Sequence, residues 1–275
     1  IRQRIKDNGL HIEGIEIIEP QHSKLREEFA DLLYERRQRK GITPQKARRM
    51  MRDPLHFGLM MVHHEDYADG MVAGLNSSYP DVIRPALKLI GLREGINRVT
   101  GLMMMVMRDR TLFFADTTVN TKMDSNTLAE IAMLTAYTAR QFNIEPRVAM
   151  LSYSNFGDTK AGGISDLVSG AVDIIRDREP KLHVDGDMMA DAALDPEICK
   201  EQFPHSLIQG NANVLIFPDM VSGNIAYKLM QKIGGADAIG PILMGMQKPV
   251  NVLNYHSTVT DIVNLTAITA ISFEK

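Results

Sequence analysis

The chain has 275 residues, a formal net charge of −3 at pH 7, and a composition that is 44% hydrophobic and 24% charged. These values are typical of a globular protein with one large or two ordinary domains, and they provide no basic surface for nucleic acid. The single cysteine, Cys199, excludes an intrachain disulfide and fits a reducing cytoplasm. The longest apolar run, residues 102–107, is too short to span a bilayer and predicts a buried strand, so we expect no membrane partner.

Helices and short strands alternate along the first part of the chain. Residues 22–40 have apolar side chains at helical spacing, and Gly41 is placed to end that helix. Thr43 followed by Pro44 is typical of the cap and first position of another helix. The patterns also predict strands over 15–18 and 69–74, helices over 54–62 and 80–90, and a hairpin of 99–107 with 111–115.

The same alternation continues to the C-terminus. The predicted helices are 124–142, 164–178, 190–194, 219–233 and one beginning near Val259, and the predicted strands are 147–151, a short one at 183–186, and 212–217. This order predicts an α/β protein built around a largely parallel sheet.

Two polar loops after predicted strands carry candidate ligand-binding residues. The first, residues 116–120, ends in Asn120. The second, residues 152–163, precedes a helix and is a plausible cradle for phosphate or pantetheine, although it matches neither the P-loop nor the dinucleotide motif. A structural role fits Asn120 and Tyr153 equally well. The candidates in the second loop are Ser152, Tyr153, Ser154 and Asn155.

The segment 240–263 is the stretch where we expect the ligand. Asn254, Tyr255 and His256 lie in a loop that opens the last helix, and helix N-termini hold phosphates and carboxylates well. Asp261 fits a catalytic base, but it also lies three residues after Thr258, which is the spacing of a capping box. Lys248 and His256 fit ligand contacts, with surface roles as the alternative. We expect no metal site, because residues 63–66 lack metal-ligand spacing.

This segment resembles the C-terminal signature of the phosphate acetyltransferase/phosphate butyryltransferase family. The resemblance extends to ordered blocks at 34–41, 68–74, 83–87, 114–116, 147–154, 184–186, 191–193, 210–219 and 223–228. It implies two α/β subdomains, as in isocitrate and isopropylmalate dehydrogenases, made of 1–95 with 246–275 and of 96–245. It also implies an acyl-CoA site in the cleft between them and a homodimer or higher homo-oligomer. The family's N-terminal strand is missing, so we expect a piece of a longer protein.

The resemblance assigns roles to individual residues. Arg37 and Arg84 match two arginines that contact phosphate and coenzyme A, and Asp261 matches an aspartate proposed to act on the thiol. Two positions depart from the family, since Asn254 and Tyr255 replace a Ser-Arg pair. The variant residues 154–157, together with the 116–120 loop, resemble the phosphotransacetylase-like C-terminal domain of large bacterial NADP-dependent malic enzymes.

These departures lead to three functional hypotheses. The leading one is a regulatory domain that binds acetyl-CoA without turnover, because losing such a donor typically lowers a rate on the order of 100-fold. The alternatives are an active phosphate acetyltransferase and a structural dimerisation domain. No cofactor is expected in this domain, and NADP and a divalent metal would belong to the malic-enzyme domain implied by the resemblance.

Overall fold

The computed structural model describes residues 1–12, 14–64, 67–158 and 163–272. The chain divides into two compact units, residues 1–61 and residues 62–275. Within the described ranges, the helices are too short or too polar to cross a membrane. The cytoplasmic location stays a prediction.

The first unit is helical. It contains α1 (Arg2–Asp7), α2 (Leu25–Arg37), α3 (Pro44–Met50) and most of α4 (Pro54–His63). Two predicted helix caps are confirmed. Gly41 ends its helix with φ +81°, and the hydroxyl of Thr43 accepts a hydrogen bond from the Lys46 N–H at 3.3 Å at the start of α3. The predicted strand at 15–18 is wrong, since these residues are irregular and the side chain of Ile15 is 67% exposed. A strand needs a pairing partner, and these residues pair with no strand in the part of the chain that is described.

The second unit contains all the strands of the described structure. Its elements are β1 (Met71–Ala73), α5 (Tyr79–Leu89), β2 (Thr100–Val106), β3 (Thr111–Ala115), α6 (Ser125–Gln141), β4 (Arg147–Leu151), α7 (Ile164–Arg178), β5 (His183–Met188), α8 (Ala190–Leu194), α9 (Pro196–Gln202), β6 (Val214–Ile216), α10 (Met220–Lys232), β7 (Asp237–Met244), β8 (Val250–Val252) and α11 (Val259–Ile271).

Six of these strands form one sheet in the order β5-β4-β6-β3-β2-β7. The pairs β5-β4, β4-β6 and β6-β3 are parallel, whereas β2 is antiparallel to both β3 and β7. The predicted hairpin and the largely parallel sheet are therefore confirmed. The sequence did not predict β7, β8 or α9 as strands or a helix. Gly240 and Pro241 interrupt the apolar pattern of β7, and three residues of α9 are charged.

The core lies on both faces of this sheet. Leu102 and Met104 of β2 pack on the side of α6 and α7, while Met103 and Met105 pack on the opposite side. This alternation follows from the two-residue period of a strand. It explains why the run 102–107 is apolar at every position.

The other two strands, β1 and β8, form a separate parallel pair, with Met71 opposite Val250 and Ala73 opposite Val252. The strands of the described structure thus form two sheets, one from strands within residues 100–244 and one from residues 71–73 and 250–252. The subdomain division, the cleft and the dehydrogenase-like comparison stay predictions. The mixed α/β class is confirmed.

Candidate functional site

The parallel pairing of β1 and β8 brings two helix N-termini to one edge. Leu253 donates its N–H to the carbonyl of Ala73 at 2.7 Å, so both strands end side by side. Each strand leads through a short polar loop into a helix, β1 into α5 and β8 into α11. Arg84 lies on α5, and Asp261 lies in the first turn of α11. Helix N-termini present free N–H groups and positive partial charge, which suits an anionic ligand at this edge.

Asp261 forms the capping box that its spacing predicts. Its Oδ2 accepts hydrogen bonds from the N–H of Thr258 at 2.7 Å and from the hydroxyl of Thr258 at 2.9 Å, and the Asp261 N–H returns one at 3.2 Å. Within the described part of the chain, Oδ1 forms no hydrogen bond or ion pair. The half-buried carboxylate therefore keeps one oxygen available while the other fixes the helix start. Its role as a base stays a prediction.

The loop before α11 is ordered by its own polar groups. Oδ1 of Asn254 accepts a hydrogen bond from the N–H of His256 at 2.8 Å. The N–H of Asn254 donates a hydrogen bond to the Ser257 hydroxyl at 3.0 Å. Tyr255, at the position of the family's arginine, is 65% exposed. The amide oxygen of Asn254 is thus occupied, and His256 is exposed beside it.

The three cationic side chains that were predicted to contact the ligand lie on different parts of the chain. Arg84 is exposed, and among the described residues its guanidinium forms no ion pair or hydrogen bond. Arg37 is the last residue of α2 and is half-buried in the first unit. Lys248 follows β7 and lines a groove of about 300 Å³, where the Arg93 guanidinium lies 4.4 Å from the ring centroid of Tyr137. The structure places Arg84, but not Lys248, on a helix of the β1–β8 edge.

The 116–120 loop is organised by a buried carboxylate that the sequence did not single out. Asp116 accepts the N–H groups of Thr118, Val119 and Asn120 at 2.8, 3.0 and 2.9 Å. The side-chain amide of Asn120 donates to Asp116 at 2.5 Å and to the Val99 carbonyl at 2.9 Å. Both donors of Asn120 are therefore used within the protein, and its observed role is structural.

Tyr79, in the first turn of α5, reaches this loop. Its hydroxyl is buried beside Thr118 and Asp116, yet neither the Tyr79 nor the Thr118 hydroxyl has a partner with hydrogen-bond geometry within the described residues. Burial raises the pKa of Tyr79, and the negative charge of Asp116 raises it further, while the nearby Thr118 lowers it. The phenol is thus held in its neutral form.

The 152–158 loop is attached to a second buried carboxylate, Asp187 of β5. Asp187 accepts hydrogen bonds from the hydroxyls of Ser154, Ser165 (2.7 Å) and Ser169 (3.3 Å) and from the Gly157 N–H (3.0 Å). The sequence did not single out Asp187, although an acidic residue inside a buried strand was a usable signal.

The four candidates of this loop have different environments. Asn155 is buried and accepts the Met189 N–H at 2.8 Å, so it and Ser154 support the loop. Ser152 lies 3.2 Å from Ser154, hydroxyl to hydroxyl, and Tyr153 is 48% exposed. Residues 159–162 of the predicted cradle are outside the described residues. Of the four candidates, Ser154 and Asn155 are therefore buried and Tyr153 is the most exposed, and their contact with a ligand stays a prediction.

Metal-ligating residues do not cluster in the described structure, where no group of three or more suitable side chains occurs. Two residues of the 63–66 segment, Glu65 and Asp66, lie outside the described part of the chain.

Comparison with known proteins gives the family. Residues 1–270 match the family model "phosphate acetyl/butaryl transferase". The chain is 43% identical over 271 residues to the phosphate acetyltransferase of Nitratidesulfovibrio vulgaris, and 42% identical over 282 residues to that of Clostridium acetobutylicum. These matches cover 98% and 100% of this chain. The structure superposes on a phosphotransacetylase from Streptococcus pyogenes with a TM-score of 0.93 and 39% identity, covering 100% of this chain and 83% of that one.

The chain belongs to the phosphate acetyl/butyryl transferase family, as its C-terminal segment predicted. It spans 38% of the length of the N. vulgaris relative, about half that of a Helicobacter pylori relative and 84% of the C. acetobutylicum relative. These findings support acyl transfer better than a regulatory role. The malic-enzyme domain, the oligomer and the roles of the site residues stay predictions.

Proposed function

We propose that the chain transfers an acetyl group between coenzyme A and inorganic phosphate. Family membership and relatives named phosphate acetyltransferase support this activity. The single structural observation that carries it is the shared edge of β1 and β8, where two helices begin on adjacent elements. Among the described residues, the Arg84 guanidinium on one of these helices and Oδ1 of Asp261 on the other form no hydrogen bond or ion pair.

The proposed reaction assigns one task to each of these groups. In one direction an oxygen of monohydrogen phosphate attacks the thioester carbonyl carbon and gives its proton to Asp261, the C–S bond breaks, and the leaving thiolate of coenzyme A takes that proton from Asp261. In the reverse direction Oδ1 of Asp261 accepts the thiol proton, and the thiolate attacks the carbonyl of acetyl phosphate and releases phosphate. Arg84 would hold the phosphate, and the N–H groups at the start of α11 would stabilise the developing oxyanion.

A second candidate is acetyl-CoA binding without turnover. The specific observation in its favour is the pair Asn254 and Tyr255, since Tyr255 provides no guanidinium and the amide oxygen of Asn254 is bonded to His256. Binding of acetyl-CoA to such a domain would favour one conformational state of a second, attached domain. An NADP-dependent malic-enzyme domain is the one that the sequence resemblance implies.

One experiment separates these functions. The protein is titrated with acetyl-CoA by calorimetry, phosphate is then added, and acetyl phosphate and free thiol are measured. Formation of both products in equal amounts supports the transferase. Saturable binding without products supports the regulatory domain and excludes the transferase under those conditions, and no binding contradicts both.

A paired variant sharpens the result. Asn254→Ser with Tyr255→Arg restores the family's two side chains at two exposed positions of the loop. If the wild type binds acetyl-CoA without turnover, this double variant should form acetyl phosphate. If the wild type already forms acetyl phosphate, the double variant should change the rate of that reaction little.

A further inference from the structure

A groove between α6 and β7 contains two cationic side chains that the proposed reaction does not use. It is lined by residues of α6 and β7, by the segment that leads into β8, and by Arg93 after α5. We call it the α6–β7 groove and define it by Arg93, Leu134, Tyr137, Ile242, Met244 and Lys248. Its volume of about 300 Å³ suits a small molecule.

The groove is distant from the edge where α11 begins. Ser272, at the C-terminal end of α11, lines the groove, whereas Asp261 lies in the first turn of the same helix. At 1.5 Å per residue these two positions are about 17 Å apart along the helix. Lys248 and Asn254 likewise lie before and after β8. A ligand in the groove would therefore occupy a site of its own.

The two cations of the groove have no counter-ion. Arg93 and Lys248 are both half-buried, and in the described part of the chain neither side chain forms an ion pair or a hydrogen bond. The described residues that line the groove include no Asp or Glu. A partly desolvated charge is costly without a partner of opposite sign, so an anion in the groove would offset this cost.

The acidic residues nearest to Arg93 are already paired with other arginines. Glu130 and Glu179 border a neighbouring depression that Arg93 also lines. The carboxylate of Glu130 lies 3.0 Å from the guanidinium of Arg98, and that of Glu179 lies 3.5 Å from the guanidinium of Arg140. The charge of Arg93 is therefore left for a ligand.

Arg93 is held in place before any ligand binds. Its guanidinium lies over the ring of Tyr137, 4.4 Å from the centroid. Stacking of this kind uses the face of the guanidinium and leaves the N–H groups at its edge free to bind a carboxylate in bidentate fashion. The Arg93 N–H donates to the Gly245 carbonyl at 3.0 Å, and the Gln247 N–H donates to the Gly91 carbonyl at 3.1 Å. These bonds tie together the two segments that carry the cations.

Apolar side chains supply another part of the lining. Leu134, Ile242, Met244 and Met246 are buried beneath the groove, and Pro249 lies beside them. An inorganic anion would neutralise a cation but would leave these side chains in contact with water. An organic anion with two acidic groups can meet both cations and also cover part of the apolar surface.

We propose that the α6–β7 groove binds a small organic dianion, with one carboxylate at Arg93, the other at Lys248, and the carbon chain on the apolar side chains. The proposal goes beyond the proposed reaction, because the groove lies at the opposite end of α11 from Asp261. Its test measures binding and does not depend on activity.

The two methionines of the groove report binding directly. The protein is labelled with [methyl-¹³C]methionine, and the signals of Met244 and Met246 are assigned from Met244→Leu and Met246→Leu. Succinate, glutarate and adipate are then titrated at neutral pH and constant ionic strength. At least one of these dicarboxylates should shift both signals saturably, whereas the signal of Met188, in the strand at the other edge of the sheet, should not move. Absence of saturable shifts with all three would overturn the proposal.

Two variants and one comparison of ligands test the role of the two charges. Arg93→Gln and Lys248→Gln should each raise the Kd of the dicarboxylate about 10-fold or more, because each removes a charge-assisted hydrogen bond. Butyrate, which has the length of succinate but one carboxylate, should bind about 10-fold more weakly than succinate. An unchanged Kd in either variant, or equal binding of butyrate and succinate, would contradict a dianion site. The remaining methionine signals show whether each variant is folded.

Two controls locate the ligand. Arg84→Gln removes the cation of the β1–β8 edge, and Lys181→Gln removes an exposed cation that precedes β5. Both should leave the Kd unchanged. A loss of binding in Arg84→Gln would place the dicarboxylate at the β1–β8 edge, and a loss in Lys181→Gln would reduce the effect to net charge; either result would overturn the proposal.

Discussion

The hydroxyl of Ser165 donates a hydrogen bond of 2.7 Å to Oδ2 of Asp187, across 22 positions of sequence, and joins the first turn of α7 to the end of β5. Two more serine hydroxyls and one N–H converge on the same buried carboxylate. We expect Asp187→Asn to lower the free energy of unfolding by about 2 kcal/mol or more, because an amide cannot accept all four hydrogen bonds. Urea unfolding measures the change.

The control for this prediction is Asp173→Asn, which alters an exposed carboxylate on α7. It should leave the urea midpoint nearly unchanged. Equal losses in the two variants would mean that the convergence of donors on Asp187 contributes nothing particular to stability.

The capping box allows the two roles of Asp261 to be separated. Asp261→Asn retains an oxygen that can accept the Thr258 N–H, but it removes the base. We expect kcat to fall about 100-fold or more with little change in thermal stability. Thr258→Ala should do the opposite, since it weakens the helix cap by about 1 kcal/mol and leaves the carboxylate in place. Equal losses of kcat in both variants would contradict a base role.

Arg84 and Lys88 lie four residues apart on α5, and both are exposed. A guanidinium bound to phosphate contributes a charge-assisted hydrogen bond of about 1.5–3 kcal/mol. Arg84→Ala is therefore expected to raise the KM for phosphate, or the Kd for acetyl-CoA, by about 10- to 100-fold, whereas Lys88→Ala should change neither. Steady-state kinetics and calorimetry measure the two constants. A similar loss in Lys88→Ala would indicate a general effect of charge.

The burial of Tyr79 leads us to expect that the protein loses stability as the pH rises into the alkaline range. Burial, with a further contribution from Asp116, raises the folded-state pKa above the ordinary value of 10.0. The resulting stability is complete below pH 10 and is lost as the pH rises through the folded-state pKa, because the unfolded chain ionises first. Tyr79→Phe should remove this part of the loss, which appears as a smaller fall of the urea midpoint above pH 10.

At neutral pH the same variant should have a stability equal to or slightly above that of the wild type, because the deleted hydroxyl has no hydrogen-bond partner among the described residues. Tyr137→Phe, which changes a 39% exposed tyrosine, serves as the control. If both variants lose stability with pH in parallel, ionisation of Tyr79 is not responsible.

Local signals predicted most helices and strands. Thr43, Asp124 and Thr258 cap the helices that their sequences indicate, because capping depends only on residues within one turn. The predicted strand at 15–18 is wrong because a strand requires a pairing partner, and the local sequence does not reveal whether one exists. Strand β7 was not predicted because Gly240 and Pro241 interrupt the apolar pattern of a segment that pairs with β2.

The positions of the exposed candidate residues could be predicted from the sequence, but the hydrogen bonds of the buried ones could not. Asn254, Tyr255 and His256 lie in the loop that the helix pattern places before Val259. Asp187 was not identified as an organising group because its donors come from distant segments, whereas Asp116 was not identified although its donors Thr118, Val119 and Asn120 are close in sequence. Asn120, Ser154 and Asn155 were identified as polar, but only the structure shows that their polar atoms bond within the protein.

The pairing of β1 with β8 also affects the order in which the molecule can be completed. β1 comprises Met71–Ala73, and its partner β8, Val250–Val252, follows all six strands of the larger sheet along the chain. Domains generally fold as units while the chain emerges, and contacts between distant segments form late. On the ribosome, the edge that carries Arg84 and Asp261 would therefore assemble only after β8 has emerged, so a nascent chain stopped before residue 250 could form the six-stranded sheet but not this edge.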